Sequence, residues 1–466
     1  TGTNAVSSSW INAANSSLTT TGAILTTGVL DASGVPNTVN YNNVGVQTIK
    51  APSTSYYNLI LSNGGLKTAG GNTTISNLLT IQNSSIYDVS TNSVNGTAGL
   101  TMTGTAEIRI ATASGTTYPE LSGIYSLGTG TTVTMNQTSV ASYDMRGVDY
   151  YNLNLAGSGN GGNGSNYDFL SGASVQGNLT VSLGGTSRFR NTNAALTVVG
   201  DFSMNNTSTN TSILFNDLSV GTFTLTAGLF NASSFNLNIN NAGGWTQNGG
   251  TFTPSTSSVN FNGLVDQSLN GSVATTFTNL SINNTGPNGV TLNQGAVVTG
   301  TLTLTEGNFI TSSSNLLTLN AGSTASGASS SSFVEGPMAK VGNTTFNFPV
   351  GKGGIYYRPI QVSAISASST IQAEYFYADP NGAGFNTSLK DPTLNHVTKG
   401  EYWVINSPAI TAGITLSWDS NSGIVDDLVN LKVAGWNGSL WKDLGNGGTI
   451  GGVSPATGTI GTVAAV

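Results

Sequence analysis

Cysteine is absent from all 466 residues, so the chain can form neither a disulfide nor a thiolate metal site. That absence suits a secreted bacterial protein that folds without an oxidising catalyst, although a cytosolic chain can also lack cysteine. Charge is scarce as well. Lys, Arg, Asp and Glu make up 7% of the chain, against roughly 25% in ordinary globular domains, and the net charge is −7. There is no basic run, which argues against nucleic acid and anionic membranes as partners. No apolar stretch approaches the ~20 residues that a helix needs to cross a bilayer, so no membrane insertion is expected. Histidine occurs once, at His396, and any catalytic triad would depend on it alone.

Gly, Ser, Thr and Asn fill the space that charge leaves. Disorder usually goes with high charge and few β-branched or aromatic residues. Here 37% of the chain is apolar, and Val, Ile, Leu, Phe and Tyr recur at regular intervals, which predicts ordered β-structure. Short stretches alternate apolar with Thr, Asn or Ser: Leu100–Met102, Glu107–Ile110, Thr132–Met135, Leu196–Val198, Phe223–Leu225 and Phe235–Ile239. Gly-Asn, Asn-Gly and Gly-Gly turns separate them, and helical periodicity is missing throughout.

A longer repeat lies over this alternation. An aromatic residue followed by Asn-Leu appears as Tyr57-Asn58-Leu59, as Tyr151-Asn152-Leu153 and, with one residue between, as Phe277-Thr278-Asn279-Leu280. A second strand-like unit follows each copy about 20 to 26 residues later, at Asn77–Ile81, Gly177–Val181 and Gly300–Leu304. The first and third copies share a prelude, since Val39–Asn42 with Gln47 matches Val259–Asn262 with Gln267 at the same spacing. Tandem antiparallel sandwiches also fit the strand spacing, but the long period favours stacked parallel coils. Roughly 15 coils of ~22 residues would run near 70 Å at ~4.8 Å per coil. Tyr57 and Tyr151, at one repeat position, are expected in a core or stacking ladder; exposed, they and Tyr56 and Tyr150 would offer faces for sugars.

Composition changes near Phe333. Seventeen charged residues precede it and 16 occupy the remaining 133 positions, with four of six Trp and seven of twelve Pro. The stretch from Ala321 to Ser332 holds only Ser, Gly, Ala and Thr, and reads as a linker or a loose last turn. Downstream, seven alternating runs predict a sandwich: Phe346–Val350, Pro359–Val362, Ile371–Tyr377, Glu401–Ile405, Ile414–Trp418, Leu431–Val433 and Thr459–Val463. The expected fold is therefore all-β: an elongated parallel β-solenoid or β-helix over 1–332, followed by an Ig-like β-sandwich over 333–466. Residues 1–30 form a possible cap or assembly segment.

The run from Phe333 to Gly354 resembles a motif common in large surface proteins of bacteria with type IX secretion. So do Glu374–Phe376, Glu401–Trp403, Leu416–Asp419 and Val433–Gly438 with Trp441, while Gln47–Lys50 and Tyr57–Leu59 are similar to the β-strand repeats that precede it. The resemblance covers most of positions 36–466, and its specific part is Phe333–Gly354. It implies an adhesin-like protein exported to the cell surface or beyond. Members usually end in a separate sorting domain, and none is visible before Val466. A start at Thr1 without Met fits a processed or recombinant mature form.

The candidate chemistry is thin. Arg188 and Arg190 share a face of one strand, and Asp144, Arg146 and Asp149 form the densest charge group upstream. A polysaccharide-cleaving solenoid would need such groups to converge; a surface ion-pair reading competes. Asp419, Asn421, Asp426 and Asp427 surround Gly423 with the hard oxygens that calcium takes, though Gly423 and the missing Glu depart from the twelve-residue helical loop. Ordinary turn use of Asp and Asn is the alternative, and no other cofactor is expected. Val350–Gly354 reads as a hairpin turn, because the full phosphate-loop spacing is missing. His396 sits among Lys390, Asp391 and Lys399 in a Pro-containing loop with no nucleophile nearby.

These observations point to a non-catalytic extracellular or cell-surface structural or adhesive protein. Its expected partners are surface glycans, other surface components and further copies joined end to end into a fibre. Trp10 and Ile11 at one end and Thr459–Val466 at the other would make that junction. The competing reading is a carbohydrate-binding or polysaccharide-cleaving β-helix module.

Overall fold

The structure is a computed structural model that describes residues 8–112, 117–160, 165–423 and 425–466. The chain is nearly all β and winds a parallel β-solenoid of about 15 turns, followed by a sandwich-like C-terminal region. One 3-10 turn, Pro380–Ala383, is the only helical element among the described residues. The coordinates divide into two compact units. One holds 1–237 with 248–255, and the other 238–247 with 256–466.

In the first unit, strands one coil apart pair in parallel and in register. Val39, Leu59, Leu79 and Leu100 follow one another up one column, all fully buried. Ile108, Val133, Leu153, Leu179, Phe202 and Phe223 form a second column. Burying each such side chain contributes about 1.5–3 kcal/mol, and stacking like on like keeps the coils the same width. Aromatic rings fill the wider coils, where Phe202 packs on Phe189, Phe223 and Phe230 at centroid distances of 5.5, 5.3 and 5.9 Å.

The alternate residues face outwards and bond from coil to coil. Ser62 Oγ donates to Asn40 Oδ1 (2.8 Å), Asn77 Nδ2 to Asn58 Oδ1 (2.7 Å) and Thr222 Oγ1 to Asp201 Oδ1 (2.6 Å). Asn152 Oδ1 accepts from the backbone N–H of Asn178 (3.0 Å), and Asn178 Oδ1 in turn from Asp201 (2.9 Å). These ladders account for a composition rich in Asn, Ser and Thr, since most of these side chains satisfy a neighbour without charge.

The repeat is real, but its phase differs from the sequence reading. Leu59, Leu153 and Leu280 lie in register with Leu79, Leu179 and Leu302, so each second unit is the next coil. The buried aromatic residues, however, are Tyr56, Tyr150 and Phe277, whereas Tyr57 and Tyr151 are half-buried. The copies align without an insertion as Tyr56-Tyr57-Asn58-Leu59, Tyr150-Tyr151-Asn152-Leu153 and Phe277-Thr278-Asn279-Leu280. Two residues turn a corner between each aromatic and its Leu, which interrupts the alternation.

The shared prelude is a lock. Gln47 Oε1 accepts from Asn43 N (3.1 Å) and its Nε2 donates to Thr20 O and Gly22 O (both 3.0 Å). In the second unit Gln267 Oε1 accepts from Gly263 N (2.9 Å), and Nε2 donates to Ile239 O (3.0 Å) and Asn241 O (3.1 Å). Each amide holds its own loop and the coil before it. Gln267→Ala leaves the buried Gly263 N–H without its partner and should cost about 1–3 kcal/mol, read as a lower chemical-denaturation midpoint; Gln47→Ala should cost a similar amount. An unchanged midpoint in both would contradict the lock.

In the second unit the coils continue into an antiparallel sheet through one shared strand. Met338–Gly342 pairs in parallel with Leu317–Leu319 on one side and antiparallel with Ser369–Phe376 on the other. The Ser/Gly/Ala/Thr stretch before it is part of a coil, since Thr324–Ser326 pairs in parallel with Thr301–Thr303. Phe346–Val350 is not one strand. It breaks at Pro349, which has no N–H to donate, into Phe346–Phe348 and Val350–Lys352. The expected strand at Leu431–Val433 shifts to Val433–Trp436, which pairs with Trp441–Gly445 across a turn capped by Asn437 Oδ1.

Candidate functional site

The largest gathering of charge on the coils lies on a four-stranded parallel sheet of the first unit. Its strands are Thr117–Tyr118, Ser142–Met145, Asn166–Phe169 and Arg188–Phe189. Alternation sends Tyr143, Tyr167 and Phe189 inwards and leaves two outer columns. One holds Ser142, Asn166 and Arg188; the other holds Asp144 and Asp168, with Arg190 bridging onward to Ile213. Arg146 continues the outward row of its own strand. Asp149 is not part of the group, because it belongs to another sheet and accepts from Ser174 Oγ (2.5 Å).

Asp168 is nearly enclosed. Its carboxylate accepts from Arg190 Nη2 (2.9 Å), Thr192 Oγ1 (2.6 Å) and Thr192 N (2.7 Å). Asp144, one rung away, is pushed above the ordinary Asp value by partial burial and then by the charge of Asp168, against the pull of Arg190. Arg188 Nε donates to Asn166 Oδ1 (2.7 Å). Arg146 Nε donates to Pro119 O (3.0 Å), and its guanidinium carbon lies 5.5 Å from the Tyr125 ring centroid. Phe215 is 41% exposed beside Arg190.

The second unit carries a buried charge cluster that sequence reasoning missed. Arg358 Nε donates to Glu401 Oε2 (3.0 Å), Nη1 to Asp419 Oδ2 (2.6 Å) and Nη2 to Asp419 Oδ1. Tyr375 Oη donates to the same Glu401 oxygen (2.6 Å), and Trp403 Nε1 to Arg358 O (3.0 Å). Burial, followed by the charge of Glu401, pushes the Tyr375 phenol well up.

Asp419, from the candidate calcium loop, is thus engaged by Arg358, and it also accepts from Asn421 N (2.6 Å). Asp427 caps the turn at Val429 and Asn430, and Ile424 lies outside the described residues. Among the described residues no group of three or more His, Asp or Glu is placed to hold a metal ion. Calcium would have to compete with Arg358. Millimolar calcium is therefore expected to leave the unfolding midpoint unmoved; a rise of several degrees that Asp427→Asn abolishes would establish the ion.

His396 is exposed in its loop. Val350–Lys352 pairs antiparallel with Tyr356–Tyr357, and Gly353 and Gly354 turn at positive φ, which agrees with the hairpin reading. Their N–H groups donate to the two carboxylate oxygens of Glu335, at 3.1 and 3.0 Å. Among the described residues, strand Ser9–Ile11 pairs only with Val29–Asp31, and Trp10 and Ile11 are exposed; residues 1–7 of the proposed assembly segment lie outside the described residues.

The fold defines the class: a parallel β-solenoid with a sandwich-like C-terminal region. No protein-family model matches the chain, and no curated protein or solved structure is significantly similar to it.

Proposed function

We propose that the chain is a non-catalytic structural or adhesive protein of the cell surface or extracellular space, exported by the type IX route that its motif resembles. The carrying observation is the use of its polar side chains. Asn, Ser, Thr and Gln repeat along the coils as ladders and locks that bond one coil to the next. A chain built this way presents long faces at low charge, which suits a scaffold that holds ligands or other copies. Self-association would use the edge of Ser9–Ile11, which has one strand partner among the described residues.

Incubation with a panel of neutral and acidic polysaccharides tests the non-catalytic part. No release of reducing ends or unsaturated products is expected. Turnover that is lost in Asp144→Asn would replace this reading with a polysaccharide-cleaving one. Sedimentation tests the assembly: concentration-dependent growth is expected, and a strictly monomeric profile at high concentration would end it.

A further inference from the structure

We propose that the outer face carrying Arg146 and Arg188 binds an acidic polysaccharide, one whose sugars bear carboxylate or sulfate groups. The inference rests on the adhesive reading above and names the ligand class. The 466-residue chain has five arginines, and three of them (Arg146, Arg188 and Arg190) fall on this one sheet. Arg109 pairs with Glu107 (2.9 Å), Arg358 is buried between two carboxylates, and Arg190 pairs with Asp168. Arg146 and Arg188 have no carboxylate partner among the described residues.

Both arginines are nevertheless held still. Each gives its Nε to the protein, Arg146 to Pro119 O and Arg188 to Asn166 Oδ1. That fixes the plane of each guanidinium and leaves the terminal N–H groups of Arg188, and those of Arg146 not given to Tyr125, for the paired oxygens of a carboxylate or sulfate. Pre-orientation lowers the entropy lost on binding. Of the two acids on the face, Asp168 is paired with Arg190 and bonded by Thr192, which leaves Asp144 as the acid that opposes an anion.

The occupant follows from charge and spacing. Arg146 and Arg188 stand two rungs apart and four positions apart along the strand direction, so the two cations meet different units of an extended chain. Ser142 and Asn166 share the Arg188 column and offer groups for hydroxyls, and the exposed Phe215 ring beside Arg190 adds a surface for a sugar.

Biolayer interferometry on the intact chain tests this, with polygalacturonate as the probe and dextran, single-stranded DNA and polyglutamate as comparisons. Polygalacturonate is expected to bind and to be released by salt, and dextran is not. The double variant Arg146→Gln/Arg188→Gln should weaken binding by about tenfold or more with an unchanged circular dichroism spectrum. Asp144→Asn should tighten it, which a merely unfolded variant would not do. The proposal falls if polygalacturonate does not bind or if the double variant binds as well as the parent. It also falls if DNA or polyglutamate binds equally through the same arginines. Failure here leaves the scaffold reading in place, whereas cleavage of the polymer would overturn that reading and leave the binding face standing.

Discussion

Arg358→Met is expected to destabilise the second unit by about 3–5 kcal/mol. The Arg358 side chain is 1% exposed and lies between Glu401, 5% exposed, and Asp419, 28% exposed. Methionine fills the volume but cancels neither charge, so Glu401 is left as an uncompensated buried carboxylate. Adding Glu401→Gln should recover part of the loss, because the two positions share one network.

Acid separates the two proteins further. Burial alone would raise Asp419, but its bonds to Arg358 outweigh that and hold it below the ordinary 3.8. Its stabilising contribution is therefore complete above 3.8 and is lost as pH falls through the lower folded value. The parent should weaken over that range. Arg358→Met should instead regain stability as acid neutralises the stranded carboxylates. Denaturation followed by Trp fluorescence at pH 7 and pH 3 reads both effects; equal midpoints for parent and variant at pH 7 would contradict the account.

Tyr150→Ala should cost about 3–5 kcal/mol, and Tyr151→Ala less than about 1 kcal/mol. Tyr150 is fully buried and donates its hydroxyl to Tyr118 O (3.2 Å) and Arg146 O (3.0 Å). Its removal leaves a cavity and takes one donor from carbonyls that keep their backbone partners. Tyr151 is half-buried at the corner that follows. The pair tests the phase of the repeat, and the reverse order of costs would restore the reading in which Tyr57 and Tyr151 line the core.

The coils were legible because two signals agree, alternation along each strand and a period of 20 to 26 residues between like segments. The phase at the aromatic was not. Counting back from Leu59 by twos places Tyr57 inside, but the register shifts between Tyr56 and Asn58 and turns Tyr56 inwards instead. Alternation carries no mark of a corner; the Asn that bonds to the neighbouring coil is its only trace. Gln47 and Gln267 were visible as matched positions, yet their roles depend on carbonyls 25 to 28 residues away. Arg188 and Arg190 were legible as a pair on one strand, while Asp168 joins them only through the coil register. The Arg358 cluster was hidden for the same reason, since its carboxylates lie 43 and 61 residues along the chain.

As proposed, the solenoid works as a non-catalytic scaffold outside the cell. Immunogold labelling of intact cells that produce the chain, with antibody against the folded protein, tests it most directly. The account predicts label on the outer surface or on material shed from it, removable by protease added to whole cells. Label that appears only after the cells are opened would contradict it.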